Sequence, residues 1–200
     1  MASGGIARGR LAEERKSWRK NHPHGFVAKP ETLPDGSVNL MLWRCVIPGK
    51  PGTDWEGGYY PLTMQFDDNY PTTAPSCRFP AGFFHINVYD SGAVCLSILG
   101  GAWKPSITVK QVLVGIQELL DDPNPDSSAQ HRCYELYKKN MPEYKNKVNK
   151  AWVKIRIWVF PKGERPVKPG KWVNPGSKNS LSLLCPAYLQ LMREDGDKER

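Results

Sequence analysis

Short apolar segments alternate with turn-forming clusters between residues 25 and 80, and this alternation limits the possible folds most strongly. The apolar segments are 26–29, 38–43 continuing into 45–47, 59–66 and 77–79, and the clusters between them are rich in Pro, Gly, Asp and Asn. Segments of this length joined by tight turns pair with their neighbours as antiparallel strands. The pattern therefore predicts a four-stranded antiparallel meander and argues against an all-helical bundle.

Apolar residues at helical spacing occur on both sides of this region. Residues 6–20 place apolar side chains at near-helical intervals, with six basic side chains on the remaining faces. Residues 108–121 carry six apolar residues at the i, i+3, i+4, i+7 spacing of an amphipathic helix, and a turn containing Pro and Asn follows. Further helices are predicted over about 127–140 and from Pro142 onwards. Together these elements indicate an α+β fold with an N-terminal helix, the meander and C-terminal helices.

The sequence changes character near residue 150, which divides the chain into two parts. Residues 5–150 hold the elements above, whereas residues 151–200 begin with strand-like alternation and continue into a basic, Gly- and Pro-rich tail that we expect to be poorly ordered. Of the formal charge of +8, the first 150 residues carry +3 and the last 50 carry +5. Two interpretations of the tail stay open: an added interaction arm, and translated non-coding sequence. Nucleic acid binding by the tail tryptophans is a weaker third interpretation.

Apolar runs and cysteines exclude several classes of protein. The longest apolar stretches fall far short of the ~18 residues of a membrane span, and the first residues lack the apolar core of a secretion signal. We therefore expect an intracellular protein without a membrane partner. Five cysteines without a C-x-x-C pair disfavour a disulfide framework and a zinc site, so no metal is expected. Free thiols remain, and one of them is a candidate nucleophile.

The candidate nucleophile is Cys95, in the irregular segment 80–107. Long irregular segments inside compact domains are often functional. A nucleophilic cysteine also needs a donor for the oxyanion of its tetrahedral intermediate, and the side-chain amide of Asn87 is available just upstream. Taken alone, a cysteine between Val94 and Leu96 is more commonly a small buried side chain than a nucleophile. The spacing of the surrounding motifs favours the nucleophile.

Four motifs occur in order around Cys95. They are His85-Ile86-Asn87, Cys95 itself, Trp103-Lys104-Pro105 and the Pro123-Asn124 turn. This array, over roughly residues 5–150, resembles the ubiquitin-conjugating enzyme family of thioester-forming carrier enzymes. Residues 15–23, 55–58, 94–99 and 115–120 are similar to the SUMO-conjugating branch of that family, in a plant-like form.

The resemblance implies the ubiquitin-conjugating fold and a two-step acyl transfer. Cys95 would accept the C-terminal glycine of SUMO as a thioester from the SUMO-activating enzyme, and a substrate lysine would then attack to form an isopeptide bond. No cofactor is implied, because ATP is consumed by the activating enzyme. The implied partners are SUMO, its activating enzyme, SUMO ligases and lysine-bearing protein substrates. A monomer in the nucleus and cytoplasm is expected.

The resemblance also implies roles for particular residues. In catalysis, Asn87 would stabilise the oxyanion and Tyr89 would shape the lysine channel, with an acidic residue after the Pro-Asn turn. The family's acid falls on Ser127, so either Asp126 replaces it or this contribution is lost. A basic face of the N-terminal helix would bind the modifier or the activating enzyme, and two further residues would contact substrate. The basic face comprises Arg15, Lys16, Arg19 and His22, and the substrate contacts are Arg78 and Ser91.

Other positions depart from the family pattern. Ile86 stands where the family has proline, which removes a ring that would restrict the backbone beside Asn87. The loop 100–102 is shorter and less acidic than in the SUMO branch, and Ser76 and Ala93 replace residues that help to recognise substrate. Alternatives to the SUMO-conjugating enzyme are therefore a ubiquitin carrier and a diverged adaptor that binds the modifier but transfers it poorly.

Overall fold

The computed structural model describes residues 3–151, and these form the predicted α+β architecture. The order of elements is α1 (Ser3–Lys20), β1 (Val27–Thr32), β2 (Val38–Pro48), β3 (Tyr59–Gln65), β4 (Ser76–Arg78), α2 (Val109–Asp121), α3 (His131–Lys139) and α4 (Met141–Ala151). Two short 3₁₀ turns occur at Ser97–Leu99 and Pro125–Ser127. The prediction of an N-terminal helix, four strands and C-terminal helices is confirmed.

The four strands form an antiparallel meander in the order β1-β2-β3-β4. Cys45 in β2 lies opposite Ala28 in β1 and Leu62 in β3, and all three side chains are buried. The outer strand β1 contains Pro30, and the register shifts directly after it. Proline lacks an N–H group, so an edge strand is a position where it disturbs few ladder hydrogen bonds.

Helix α2 supplies one wall of the core. The six apolar residues of its periodic pattern are all buried. Thr108 begins the helix with a capping box, in which its side chain accepts a hydrogen bond from the backbone N–H of Gln111 and the Gln111 side chain accepts one from the backbone N–H of Thr108. The buried residues are Val109, Val112, Leu113, Ile116, Leu119 and Leu120.

Helix α1 is joined to the start of α2 by a buried carboxylate. Glu14 is only 7% exposed, and its Oε1 lies 2.8 Å from the Arg10 guanidinium. Its Oε2 accepts a hydrogen bond from the backbone N–H of Val109 at 3.3 Å. Arg10 also donates to the carbonyl oxygens of Pro105 and Ile107. A carboxylate beside a helix N-terminus is favourable, because it pairs with free N–H groups and the positive end of the helix dipole.

The predicted helix over 127–140 is wrong in its first residues, since α3 begins only at His131. Residues 125–127 instead form a separate 3₁₀ turn, in which the Asn124 side chain accepts a hydrogen bond from the N–H of Asp126. The backbone N–H of Ala129 donates to the carbonyl of Ile86 at 2.7 Å. This long-range bond holds the segment in an extended form that a helix could not adopt.

Three predictions about the chain's organisation are not tested by this fold. The strand-like alternation after residue 151 and the expected poorly ordered tail lie outside the described residues. The domain limits of 5–150 and 151–200 stay predictions. Among residues 3–151, no helix is both long and apolar enough to cross a membrane.

Candidate active site

Cys95 lies in the irregular segment that follows β4 and turns back on itself. Val88 and Val94 pair in an isolated antiparallel bridge. Next to this bridge, the backbone N–H of Cys95 donates to the carbonyl of Asn87 at 2.8 Å. The two predicted catalytic residues therefore lie opposite each other, although neither belongs to a regular strand.

A tight turn at residues 89–92 connects the two arms of this bridge. Gly92 has a φ of +85°, and a Cβ at this position would lie 2.0 Å from the carbonyl oxygen of Phe79, so no other residue fits without displacing backbone. The side chain of Tyr89 is 48% exposed, and Ser91 is exposed. The turn thus presents two of the predicted site residues to solvent.

The cysteines differ in their access to solvent. Among the residues that the structure describes, Cys45, Cys77 and Cys133 are buried, whereas Cys95 is half-buried. Burial raises the pKa of each of the three buried thiols, because a thiolate is poorly solvated there. A nucleophilic cysteine must be reached by its substrate and must react as a thiolate. Of the described thiols, Cys95 meets the access requirement best.

The side chain of Asn87 is fully buried and makes three hydrogen bonds to the loop after α2. Its Nδ2 donates to the carbonyls of Asn124 at 2.7 Å and Ser127 at 3.0 Å, and its Oδ1 accepts from the N–H of Asn124 at 2.8 Å. Both amide hydrogens are therefore used to hold this loop. An oxyanion role for Asn87 requires one of these two hydrogen bonds to be released.

His85 is a buried support for the same segment. Its Nδ1 accepts a hydrogen bond from the backbone N–H of Asn87 at 3.1 Å, and the ring packs 5.7 Å from that of Trp55. Burial lowers the pKa of His85 to about 4, and backbone groups of Leu120 and Leu119 only partly offset this effect. The imidazole is therefore neutral near pH 7 and holds Asn87 through its acceptor nitrogen.

Ile86, at the position where the sequence resemblance implies proline, is fully buried. Its side chain belongs to the hydrophobic core, and its carbonyl accepts the hydrogen bond from Ala129. The backbone here is held by the side-chain hydrogen bonds of Asn87 and by the carbonyl of residue 86. A proline at position 86 would leave both of these features in place. The motif keeps its connections to the loop after α2 despite the substitution.

The two candidate acid positions, Asp126 and Ser127, are both exposed on the 3₁₀ turn. The Asn124 side chain accepts from the N–H of Asp126 at 2.9 Å, and its Nδ2 lies 3.3 Å from the Ser127 hydroxyl oxygen. The Asn87 side chain binds the backbone of this turn by donating to the carbonyls of Asn124 and Ser127. These hydrogen bonds therefore connect the turn to the segment that carries Cys95.

The predicted substrate contacts reach the same region. Arg78 is exposed at the end of β4 and pairs with Ala93 in an isolated bridge. Ser91 lies two residues before Ala93 in the tight turn. The structure therefore places Arg78, Ser91, Ala93 and Tyr89 on the strand end and turn next to Cys95.

Most of the predicted basic face lines a groove beside α1. The groove has a volume of about 380 Å³ and contains Arg15, Lys16 and Arg19. Arg15 is half-buried, and its pKa is lowered by partial burial and by the nearby Arg19. His22 does not line this groove; its ring stacks on Trp18 with centroids 5.4 Å apart. The structure thus groups three of the four predicted binding residues.

The sequence analysis did not single out two polar residues near the site, Asp90 and Gln130, and it named Asn124 only as part of a turn. Gln130 is 9% exposed, and its Nε2 donates to the Asp90 carboxylate at 2.7 Å. The Pro-Asn turn was a signal for Asn124, but nothing local singles out Gln130, whose partner lies 40 residues away. Within residues 3–151, no group of three or more side chains could hold a metal ion.

Comparison with known proteins shows the family to which the chain belongs. The family model for ubiquitin-conjugating enzymes matches residues 10–152. The SUMO-conjugating enzyme SCE1 of Arabidopsis thaliana is 68% identical over 150 residues, which cover 74% of this chain and 93% of that protein. The Sumo-conjugating enzyme ubc9 of Dictyostelium discoideum is 58% identical over 76% of this chain and 96% of its own length, and UBC9 of Caenorhabditis elegans is 54% identical over 75% and 92%. This chain belongs to the ubiquitin-conjugating enzyme family.

Proposed function

We propose that the protein is a SUMO-conjugating enzyme that carries SUMO as a thioester on Cys95 and transfers it to substrate lysines. The observation that carries the chemistry is the half-buried Cys95, on a segment anchored at Asn87, in a domain whose other described cysteines are buried. The choice of SUMO is supported by three relatives named as SUMO-conjugating enzymes, each at least 54% identical over most of both chains.

The reaction has two acyl transfers at one sulfur atom. In the first, the Cys95 thiolate attacks the C-terminal glycyl carbonyl of SUMO on the activating enzyme, and the activating enzyme's sulfur leaves. In the second, the neutral amine of a lysine attacks the Cys95 thioester, the C–S bond breaks, and the amine loses a proton as the isopeptide bond forms. Lysine has an ordinary pKa near 10.4, so its amine must be desolvated and oriented before it can attack.

The site residues divide this work. Tyr89, exposed on the tight turn, forms one side of the lysine's approach, and Asp126 or Ser127 forms the other and accepts a hydrogen bond from the amine. Asn87 stabilises the oxyanion after it releases a loop carbonyl, and it orders the 3₁₀ turn before that step. Losing one preorganised oxyanion donor typically slows such reactions by about 10²–10³-fold.

The same proposal assigns partners and surroundings. Arg15, Lys16, Arg19 and His22 bind SUMO or its activating enzyme, and Arg78 and Ser91 contact the lysine-bearing substrate. SUMO ligases assist transfer, and ATP is used only by the activating enzyme, so the protein needs no bound cofactor. It acts as a monomer in the nucleus and cytoplasm.

Charging with SUMO tests the proposal directly. The protein is incubated with SUMO-activating enzyme, ATP and SUMO, and the products are separated with and without a thiol reductant. We expect a reductant-sensitive adduct, its absence in Cys95→Ala, and a reductant-resistant ester in Cys95→Ser. Ser97→Ala, an exposed position two residues away, is the matched control and should charge like wild type.

Three results would contradict the proposal, and the last two would each indicate another function. One is failure of the wild-type protein to form the adduct under conditions that charge a known SUMO carrier. The second is efficient charging by ubiquitin-activating enzyme and ubiquitin instead, which would indicate a ubiquitin carrier. The third is normal charging without transfer to any lysine, which would indicate a modifier-binding adaptor.

A further inference from the structure

Asp90 and Gln130 form a hydrogen bond that joins two segments beside Cys95. Asp90 is exposed in the tight turn, between Tyr89 and Ser91, and Gln130 is the last residue before α3. The Gln130 Nε2 donates to Asp90 Oδ1 at 2.7 Å, a short contact of the kind seen when a carboxylate accepts the hydrogen. Gln130 lies at the N-cap position of α3, but its side chain does not cap that helix.

Two partners fix the orientation of the Gln130 amide. A carboxylate only accepts hydrogen bonds, so the NH₂ group must face Asp90. On the other side, the thiol of Cys133 donates to the Gln130 Oε1. The same Nε2 also reaches the carbonyl of Phe83 at 3.4 Å. This nearly buried amide therefore has one favourable orientation, and Asp90 receives its best-placed hydrogen.

The Asp90–Gln130 hydrogen bond is one of several that join the Cys95 segment to residues 124–130. Asn87 joins the Cys95 segment to Asn124 and Ser127, and the Ile86 carbonyl joins it to Ala129. Asn87 and Ile86, from which these links start, are both fully buried. The Asp90–Gln130 contact is the corresponding link at the exposed turn, where Tyr89 projects.

We propose that Asp90 is a positioning residue for lysine attack: its hydrogen bond to Gln130 sets the spacing between the Tyr89 turn and the loop that carries Asp126 and Ser127. This inference rests on the proposed transfer to lysine. Asp90 acts indirectly, by holding the Tyr89 turn and the loop that carries Asp126 and Ser127 at a set distance from each other. Rates of well-oriented reactions depend steeply on placement, so a shift of about 1 Å at the turn is enough to slow attack.

Asp90→Ala removes the acceptor at an exposed position, so the variant should fold. SUMO thioester is formed, the activating step is stopped, and discharge is followed with free lysine and, separately, with a small thiol such as 2-mercaptoethanol. We expect discharge to lysine to fall about fivefold to tenfold, and discharge to the thiol to stay within about twofold, since a small thiol needs no channel. Charging of Cys95 should be unchanged.

Three further variants separate the hydrogen bond from other effects. Asp90→Asn keeps an acceptor oxygen and should restore most of the lysine rate. Asp90→Ala combined with Gln130→Leu should be no slower than the slower single variant, because both remove the same contact. Asp35→Ala is the matched control, since Asp35 is also an exposed aspartate that accepts a hydrogen bond within a turn, from Ser37. It should discharge like wild type.

Several outcomes would overturn the inference. Lysine discharge by Asp90→Ala within twofold of wild type would exclude the role, as would an equal loss with lysine and thiol. An Asp90→Asn rate as low as that of Asp90→Ala would assign the effect to charge.

The Gln130 side-chain amide, observed by NMR, should exchange faster in Asp90→Ala, which tests the hydrogen bond without any charging of Cys95. A wild-type protein that forms no thioester, with the amide change intact, would refute the proposed function and the catalytic part of this inference.

Discussion

Buried polar side chains define the site more closely than exposed ones do. His85 and Asn87 are both fully buried, and each is committed to holding backbone: His85 holds the N–H of Asn87, and Asn87 holds the loop at 124–127. A buried polar group without partners is costly, so their hydrogen bonds are part of the stability of the fold. The ionisation of His85 should therefore change the stability of the fold.

Protonation of His85 should make stability pH-dependent. The pKa of His85 is about 4 in the folded protein and near 6.5 in an unfolded chain, so the unfolded state binds more protons between these values. The contribution of His85 to the free energy of unfolding is therefore fully present above pH 6.5 and is lost as the pH falls towards 4. Denaturant unfolding should show a free energy of unfolding about 2 kcal/mol lower at pH 5 than at pH 7 from this residue alone.

The contribution of His85 is isolated by comparing variants at both pH values. His85→Gln keeps an acceptor for Asn87 but cannot ionise, so its stability should change less between pH 7 and pH 5 than that of wild type. His24→Gln removes an exposed histidine and should leave the wild-type slope unchanged. Equal slopes in wild type and His85→Gln would contradict the assignment.

Among the structural elements, the tight turn at 89–92 depends on a glycine at its last position. The N–H of Phe79 donates to the Gly92 carbonyl, and the Gly92 N–H donates to Tyr89, so the turn packs directly against the end of β4. This close approach leaves no room for a side chain at Gly92. The turn and β4 therefore behave as one unit, and it carries Tyr89, Asp90 and Ser91.

Gly92→Ala should destabilise the protein far more than Gly82→Ala. Both glycines have positive φ, +85° and +79°, and share the strain of placing Ala there, about 1 kcal/mol. A Cβ at Gly82 meets nothing within 4 Å, whereas one at Gly92 would clash with backbone, which adds roughly 1–3 kcal/mol. Thermal or denaturant unfolding measures both variants, and equal losses would show that the turn moves freely from β4.

Charge is distributed unevenly over the whole molecule. The chain carries +8, of which the first 150 residues supply only +3. Within the described part, four basic side chains line one groove beside α1: Arg15, Lys16, Arg19 and Lys20. Surface charges of this kind add speed and selectivity to association more than they add affinity, and salt weakens them.

Reversing one charge in the groove should impair charging more than reversing one elsewhere on α1. Arg19→Glu is expected to raise the protein concentration needed for half-maximal charging about threefold to tenfold at low salt. Arg8→Glu, an exposed position on the same helix outside the groove, makes the same change in net charge and should have an effect below about twofold. Both effects should shrink as ionic strength rises. Equal effects would indicate a response to total charge alone.

The sequence by itself determined the order of elements and the apolar face of α2, and it singled out Cys95 as the candidate nucleophile. Strand alternation, helical periodicity and the motif around Cys95 are carried by residues close together in the chain, so they can be recognised without coordinates. The start of α3 could not, because the hydrogen bond between Ala129 and Ile86 overrides local helical preference.

Only the tertiary structure decided how the polar residues are used. Asn87 meets its partners 37 and 40 residues later, Asp90 meets Gln130 after 40, and Glu14 meets Val109 after 95. A polar side chain can form hydrogen bonds with many groups in the chain. The neighbouring sequence does not show which of these groups folding brings close to it. The candidate nucleophile could therefore be proposed from its motif, whereas the hydrogen bonds that hold its surroundings became visible only in the folded chain.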